Sequence, residues 1–250
     1  MLSHVSAAKG TARTQGALTR YHRGLKLKAI FFDAGNTLVF PDLRRTLAPL
    51  LDRGVEPSPE QLRAAEREAR RRRDAAAADG HKLGDQHYWE VFCSGLLRQL
   101  AIDDRDASQR LLPALVAEAR NSQNWDRVLP GTREALATLR SRYGLGVISN
   151  SDGSVEKLLE RIGLGGCFDS VTDSGVIGHE KPDRRIFEAA LTTMKASADE
   201  SLYVGDIYSV DYLGAMNAGM RAMLFDVSGT YCGTDLPRVE SMEELVAKLM

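Results

Sequence analysis

From Leu129 onwards, short apolar runs alternate with amphipathic segments, and this alternation constrains the fold of the 250-residue chain more than any other feature. Short apolar runs bounded by turn residues are typical of buried strands, whereas apolar residues three and four positions apart are typical of helices. Strands and helices that alternate at this pace form parallel βαβ units with helices on both sheet faces. The sequence therefore predicts an α/β fold with a doubly wound parallel sheet.

The predicted elements can be read directly from the letters of this region. The predicted strands are "LGVIS", "FDSVTD", "SLYVG" and "RAMLF". The predicted helices are "GTREALATLRSRYG", which we expect to end at Gly144, "SVEKLLERIG", "DRRIFEAALTTMK" and "VDYLGAMNAG". A further apolar run, "LKAIFF", precedes them near the N-terminus and is too short for a helix, so we interpret it as the first strand of the same sheet.

A long stretch of helical pattern separates that first strand from the others. Its segment "SPEQ" at 58–61 has a capping serine, a proline in the first turn and a glutamine three residues after the serine, which is typical of a helix start. An apolar stripe at helical spacing further along is typical of a packed core, and it consists of Tyr88, Phe92, Leu96 and Leu100. We therefore predict a basic tail over residues 1–26, a sheet domain formed by 27–40 and 128–250, and an inserted all-helical domain over 41–127.

Four consecutive arginines, Arg70 to Arg73, lie within the predicted helical insertion. Successive residues of a helix are rotated by about 100°, so the four side chains cannot share one face. We expect them to form solvated surface rather than an anion-binding site.

Charge and composition exclude several classes of partner. The net charge of −1 gives no overall attraction to nucleic acid or to an anionic membrane, and no apolar run approaches the roughly 20 residues that span a bilayer. Three cysteines without CxxC spacing are typical of reduced thiols, so we expect a cytoplasmic protein. Residues 1–28 carry six Lys or Arg and no acid, and a transit peptide is the alternative interpretation of that segment. The oligomeric state cannot be predicted from these features.

Polar side chains stand at the ends of the predicted strands. Ligands of open parallel sheets bind outside the carboxyl ends of the strands, so these side chains are expected to converge on one edge. They are Asp33 after the first strand, Ser149 and Asn150 after "LGVIS", Lys181 in "GHEKPD", and Asp206 with Asp211 after "SLYVG".

This set of groups is typical of phosphoryl chemistry. Clustered carboxylates repel one another unless a hard cation lies between them, and Mg²⁺ prefers carboxylate and phosphate oxygens. A hydroxyl, turn amides and a lysine can hold phosphoryl oxygens. One carboxylate can also act as a nucleophile and form an aspartyl-phosphate.

Four segments in order along the chain resemble the motifs of the haloacid dehalogenase superfamily, in its phosphatase-like branch with an α-helical cap. The segments are "FFDAGNTL", "VISNSDG", "GHEKPD" and "YVGDIYSVD". The resemblance implies a Mg²⁺-dependent hydrolase that cleaves a small phosphate ester, with the helices of 41–127 as a cap that closes over the site. It implies Asp33 as the nucleophile, Ser149 and Lys181 as phosphate-binding groups with Asn150 beside them, and Asp206 as a metal ligand, supported by Asp211.

Position 35 departs from the family pattern. The resemblance implies a second aspartate there, which protonates the leaving oxygen, whereas this chain has Gly35. The backbone carbonyl of Gly35 can still contact the metal, so we expect the loss of a general acid and base rather than of the cation. Such a group contributes a factor of about 10² to 10⁴ in rate, and activity is expected to be reduced or restricted to certain substrates.

Three interpretations of Gly35 remain open from the sequence. The first, which we favour, is a phosphatase that acts on activated phosphates or takes its proton from His81, His87, His179 or Glu180. The second is a phosphonatase-like enzyme that cleaves carbon–phosphorus bonds through an imine on Lys82, the single lysine between positions 29 and 156. The third is a catalytically weak protein that binds a phosphorylated ligand or partner.

Overall fold

The computed structural model describes residues 27–81, 83–102 and 105–250. The predicted tail over 1–26 and the predicted imine-forming Lys82 lie outside these ranges. Within them, the first elements are β1 (Ala29–Phe32) and β2 (Phe40–Pro41). They are followed by α1 (Leu43–Thr46), α2 (Ala48–Leu51), α3 (Pro59–Ala78), α4 (Asp85–Gln99), α5 (Arg105–Arg120) and a 3₁₀ turn at Ser122–Asn124.

The second half of the chain alternates between strands and helices as its pattern predicts. The elements are β3 (Trp125–Arg127), α6 (Thr132–Arg140), β4 (Gly144–Ser149), α7 (Val155–Arg161), β5 (Ser170–Asp173), α8 (Ser174–Ile177), α9 (Arg184–Met194), β6 (Ser201–Gly205), a π-helix (Tyr208–Tyr212), α10 (Leu213–Asn217), β7 (Arg221–Phe225), β8 (Arg238–Val239) and α11 (Met242–Leu249). Short 3₁₀ turns occur at Gly165–Cys167 and Ala198–Glu200.

Six strands form one parallel sheet in the order β5-β4-β1-β6-β7-β8. The chain builds outward from β1 to one side through β4 and β5, and then to the other side through β6, β7 and β8. β1 is therefore the topological switch point, where the crevice at the carboxyl ends of the strands is expected to bind ligands.

Both faces of the sheet are covered, because successive side chains of β1 point to opposite sides. Ile30 and Phe32 belong to an apolar cluster that includes residues of α6, α7 and α11. Ala29 and Phe31 belong to a second cluster, with residues of α9 and α10. This arrangement confirms the predicted doubly wound sheet.

The helices between β2 and β3 pack around an apolar cluster of their own, which we call the insertion core. It contains the predicted stripe residues Tyr88, Phe92 and Leu96, with Leu100 packed against it. The predicted start of α3 is also confirmed, because Ser58 and Gln61 form a reciprocal capping box. None of the helices in the described part of the chain is long and apolar enough to cross a membrane.

The two connections between the helical insertion and the sheet lie side by side. β2 and β3 pair antiparallel, with Phe40 opposite Arg127 and Pro41 opposite Trp125. The side chain of Trp125 packs against both the first sheet cluster and the insertion core. We call this antiparallel pair the β2–β3 ribbon. It connects the sheet to the helical insertion, and Trp125 packs against both.

Two sequence-based expectations differ from the structure. Helix α6 ends at Arg140 rather than at Gly144, because Gly144 is already the first residue of β4 and pairs with Ala29 of β1. Arg70 is not solvated surface, since its side chain is fully buried. The physical reason is that one face of α3 lies against the sheet edge, where Arg70 meets buried carboxylates.

Candidate active site

Three carboxylates meet at the carboxyl edge of the sheet. Asp33 follows β1, Asp206 follows the neighbouring strand β6, and Asp211 lies in the π-helix after it. All three are buried, and each offers one oxygen within 4.8 Å of an oxygen of the others. The structure therefore brings together three of the residues that the sequence singles out.

Lys181 connects two of these carboxylates. Its Nζ donates to Asp33 Oδ1 at 2.6 Å and to Asp211 Oδ1 at 2.8 Å, and its third hydrogen bond goes to the Tyr203 hydroxyl at 2.7 Å. An ammonium group has three donors, so Lys181 uses its full capacity here. Tyr203 belongs to β6 and was not identified from the sequence, because a tyrosine inside an apolar run is typical of core packing.

Asp211 is held beneath the loop that carries Asp206. Its Oδ2 accepts hydrogen bonds from the backbone N–H of Asp206 at 3.1 Å and of Ile207 at 2.9 Å. Gly205 makes this approach possible, because a Cβ at that position would lie 2.6 Å from Asp211 Cγ. The spacing of the "GDIYSVD" segment thus has a structural reason as well as a chemical one.

Asp206 is paired with an arginine from the helical insertion. Arg70 NH2 lies 3.0 Å from Asp206 Oδ2, and Arg70 NH1 donates to the Asp206 carbonyl oxygen at 2.9 Å. The same guanidinium contacts Glu66 at 2.5 Å, and it lies 4.0 Å from Asp226. Local sequence pattern does not predict this contact, because 136 residues separate Arg70 from Asp206.

Ser149 and Asn150 also lie at this edge. Ser149 is buried at the end of β4, the strand beside β1. Asn150 binds the backbone of Lys181: its Oδ1 accepts from the Lys181 N–H at 2.7 Å and its Nδ2 donates to the Lys181 carbonyl at 3.0 Å. The described contacts of Asn150 therefore position Lys181, and direct phosphate binding by either residue stays a prediction.

The expected proton donors are not gathered here. His81, His87 and Glu180 are exposed and His179 is half-buried. Among the contacts that the structure describes for the Asp33 carboxylate, none comes from these four residues. The role of each as a donor stays a prediction.

Burial and mutual repulsion perturb the acids. Burial raises the pKa of Asp33 to about 6, with a further increase from Asp211, although Lys181 opposes it. Burial raises the pKa of Asp206 well above its usual range, against the influence of Arg70. Burial by itself would raise the pKa of Asp211 too. The positive charge of Lys181 and the hydrogen bonds from Lys181 and from the loop N–H of Ile207 outweigh this effect and hold the pKa of Asp211 below its usual value. Three carboxylates against two cations leave a site that favours additional positive charge.

Comparisons with known proteins agree with this geometry. Residues 27–219 match the family model described as haloacid dehalogenase-like hydrolase. The chain is 33% identical over 146 residues to the bovine haloacid dehalogenase-like hydrolase domain-containing protein 3, a match that covers 58% of each chain. It is 46% identical over 101 residues to the glyceraldehyde 3-phosphate phosphatase of Methanothermobacter thermautotrophicus, covering 39% of this chain and 44% of that one. The match thus spans about half the length of these two relatives.

A solved structure shares the fold. The hydrolase YfnB of Bacillus subtilis, in a form bound to magnesium, aligns with a TM-score of 0.62 at 19% identity, covering 90% of this chain and 99% of that one. The matched family model spans more than half of the residues, and its limits enclose Asp33, Lys181, Asp206 and Asp211. The chain therefore belongs to the haloacid dehalogenase-like hydrolases.

Proposed function

We propose that the protein is a Mg²⁺-dependent phosphatase that cleaves a small phosphate ester through an aspartyl-phosphate on Asp33. The observation that carries the proposal is the placement of Asp33: a buried carboxylate at the switch point of the sheet, 2.6 Å from Lys181 Nζ and beside two further acids. The phosphatase name of the archaeal relative supports the same reaction class.

The residues at the site fit a magnesium ion. Asp33, Asp206 and the backbone carbonyl of Gly35 would hold it, supported by Asp211. Hard cations prefer such oxygen donors, and Asp206 Oδ2 is a buried oxygen without a hydrogen bond of good geometry in the described structure. When bound, Mg²⁺ would withdraw charge from a phosphoryl oxygen and relieve the repulsion among the acids.

The chain's own residues supply the remaining chemistry. A carboxylate oxygen of Asp33 attacks phosphorus, the bond from phosphorus to the leaving oxygen breaks, and water then hydrolyses the aspartyl-phosphate to regenerate Asp33. Lys181 opposes the protonation of Asp33 and orients it, and it would bind a phosphoryl oxygen together with Ser149 by releasing one of its three present acceptors. Asn150 fixes the backbone that carries Lys181.

A direct test is phosphate release from 4-nitrophenyl phosphate with and without Mg²⁺. We expect turnover only with the metal, and we expect Asp33→Asn to abolish it. Asp199→Asn is the matched control, because Asp199 is exposed and precedes the N-terminal end of β6, away from the site. Absence of metal-dependent turnover across a broad panel of phosphate esters would contradict the proposal and favour a binding role.

A further inference from the structure

The indole of Trp125 lies beside Gly35. A Cβ added at Gly35 would lie 3.4 Å from Cζ3 and 3.9 Å from Cη2 of Trp125, and apart from its two chain neighbours no other residue in the described part of the chain comes within 4 Å of it. Position 35 is two residues after Asp33, so the two Cα atoms are at most ~7 Å apart. Trp125 therefore lies beside the backbone segment that carries the nucleophile.

Trp125 is held in this place from several sides. Its Nε1 donates to the Ala119 carbonyl at 2.9 Å, and its ring packs edge-to-face on Trp89 with centroids 5.8 Å apart. It also contacts the apolar clusters of both parts of the molecule. An aspartate at position 35 would have its Cβ in contact with this fixed ring, so its carboxylate would have to share the space with the indole.

The donors that surround Asp33 and Asp206 from Lys181, Tyr203 and Arg70 already have acceptors within the site. Lys181 donates all three of its hydrogens to Asp33, Asp211 and Tyr203. Tyr203 lies within hydrogen-bond distance of the Ile148 carbonyl and of Asp211. The guanidinium of Arg70 is bound to Asp206 and Glu66. Position 35, where the family pattern has an acid, thus has an aromatic ring beside it.

We infer that Trp125 is a specificity-determining residue: it restricts the enzyme to aryl phosphates, whose weakly basic phenolate leaves without protonation and whose ring packs against the indole. This inference rests on the proposed phosphatase function. In the reaction, the phosphorus–oxygen bond of the ester breaks and the phenolate carries away the electron pair. Alkyl phosphates, whose alkoxide requires a proton, are expected to be poor substrates.

The first experiment compares leaving groups on the wild-type protein with Mg²⁺. We expect kcat/KM to fall steeply from 4-nitrophenyl to phenyl phosphate, and to be at least about 100-fold lower for benzyl than for 4-nitrophenyl phosphate, the order that the loss of a general acid predicts. A flat dependence on the acidity of the leaving group would overturn the inference while leaving the proposed function intact.

The second experiment is a double-mutant cycle on position 35 and Trp125. We expect Gly35→Asp alone to give little gain on benzyl phosphate, because the indole lies in contact with the added Cβ and competes with the carboxylate for the space beside it. The double variant Gly35→Asp/Trp125→Ala is expected to exceed Trp125→Ala by at least about 10-fold on that substrate. An equal gain from Gly35→Asp alone would show that Trp125 does not block the position.

A binding measurement separates the inference from the proposed function. In a Trp89→Phe variant Trp125 is the remaining tryptophan, so its fluorescence reports on its own surroundings. We expect phenylphosphonate to shift this emission and inorganic phosphate to leave it unchanged. If no ester is hydrolysed but the shift occurs, the proposed function fails and the aromatic contact stands. If both ligands act alike, Trp125 does not recognise the ring.

Discussion

Arg70→Ala is expected to destabilise the protein by about 3–5 kcal/mol, the usual cost of removing one partner from a buried ion pair. The side chain of Arg70 is fully buried, and its loss leaves Asp206 without its cation at 3.0 Å and Glu66 without its partner at 2.5 Å. Asp206 is itself buried, so water cannot replace the guanidinium readily.

This magnitude is a large share of a typical stability of about 5–15 kcal/mol. In a chain of this size, 1 kcal/mol corresponds to about 2–4 °C in Tm, so Tm is expected to fall by roughly 6–20 °C. Thermal and urea denaturation measure the change. Added Mg²⁺ is expected to recover part of the loss, because a bound divalent ion would supply the missing positive charge.

Arg71→Ala is the matched control, because the neighbouring side chain on α3 is exposed. Its effect is expected to stay within about 0.5 kcal/mol. Arg70→Ala/Asp206→Asn is expected to be more stable than Arg70→Ala, since the unpaired buried charge is removed. Equal stabilities of Arg70→Ala and Arg71→Ala would refute the reasoning.

Three further predictions concern the acids and their partners. Burial raises the pKa of Asp33 from 3.8 to about 6 in the folded protein. The folded state therefore holds the Asp33 proton more tightly than the unfolded state, and this contribution to stability is complete below pH 3.8 and is lost as the pH rises through 6. Asp33→Asn is therefore expected to be more stable than the wild type at pH 8 by up to ~3 kcal/mol and no more stable at pH 3.5, as urea denaturation at both values can show. Tyr203→Phe removes one partner of the buried Lys181 ammonium and is expected to cost about 1–3 kcal/mol; a cost below ~0.5 kcal/mol would contradict the assigned contact. Asp74→Ala removes the acceptor, at 2.9 Å, of the Ser209 N–H, and faster hydrogen exchange at Ser209 with unchanged exchange in β1 is the expected result.

The sheet could be predicted from the sequence because its signals are local. Each strand is a short apolar run with a turn residue at its end, and parallel topology then places Asp33, Asp206 and Asp211 at one edge. The end of α6 was misplaced because Gly144 was interpreted as a helix terminator. Its pairing with β1 across more than a hundred residues determines its actual role.

The contacts between the helical insertion and the sheet could not be predicted in the same way. The rotation of about 100° per residue shows that Arg70 to Arg73 face different directions around α3. It does not show which of the four side chains faces the sheet. Arg70 reaches Asp206 across 136 residues, and Trp125 covers Gly35 across 90. Both contacts depend on how α3 and the β2–β3 ribbon dock, which local pattern does not encode.

The chain enters and leaves the helical insertion through two paired strands, so the insertion can be exchanged as one unit. Because Phe40 faces Arg127 across the ribbon, a helical module from another hydrolase could be spliced at this single junction without altering the register of the sheet. Such a transplant would, however, remove the guanidinium that neutralises Asp206. A successful chimera therefore has to import a cation at the position of Arg70 along with its new recognition surface.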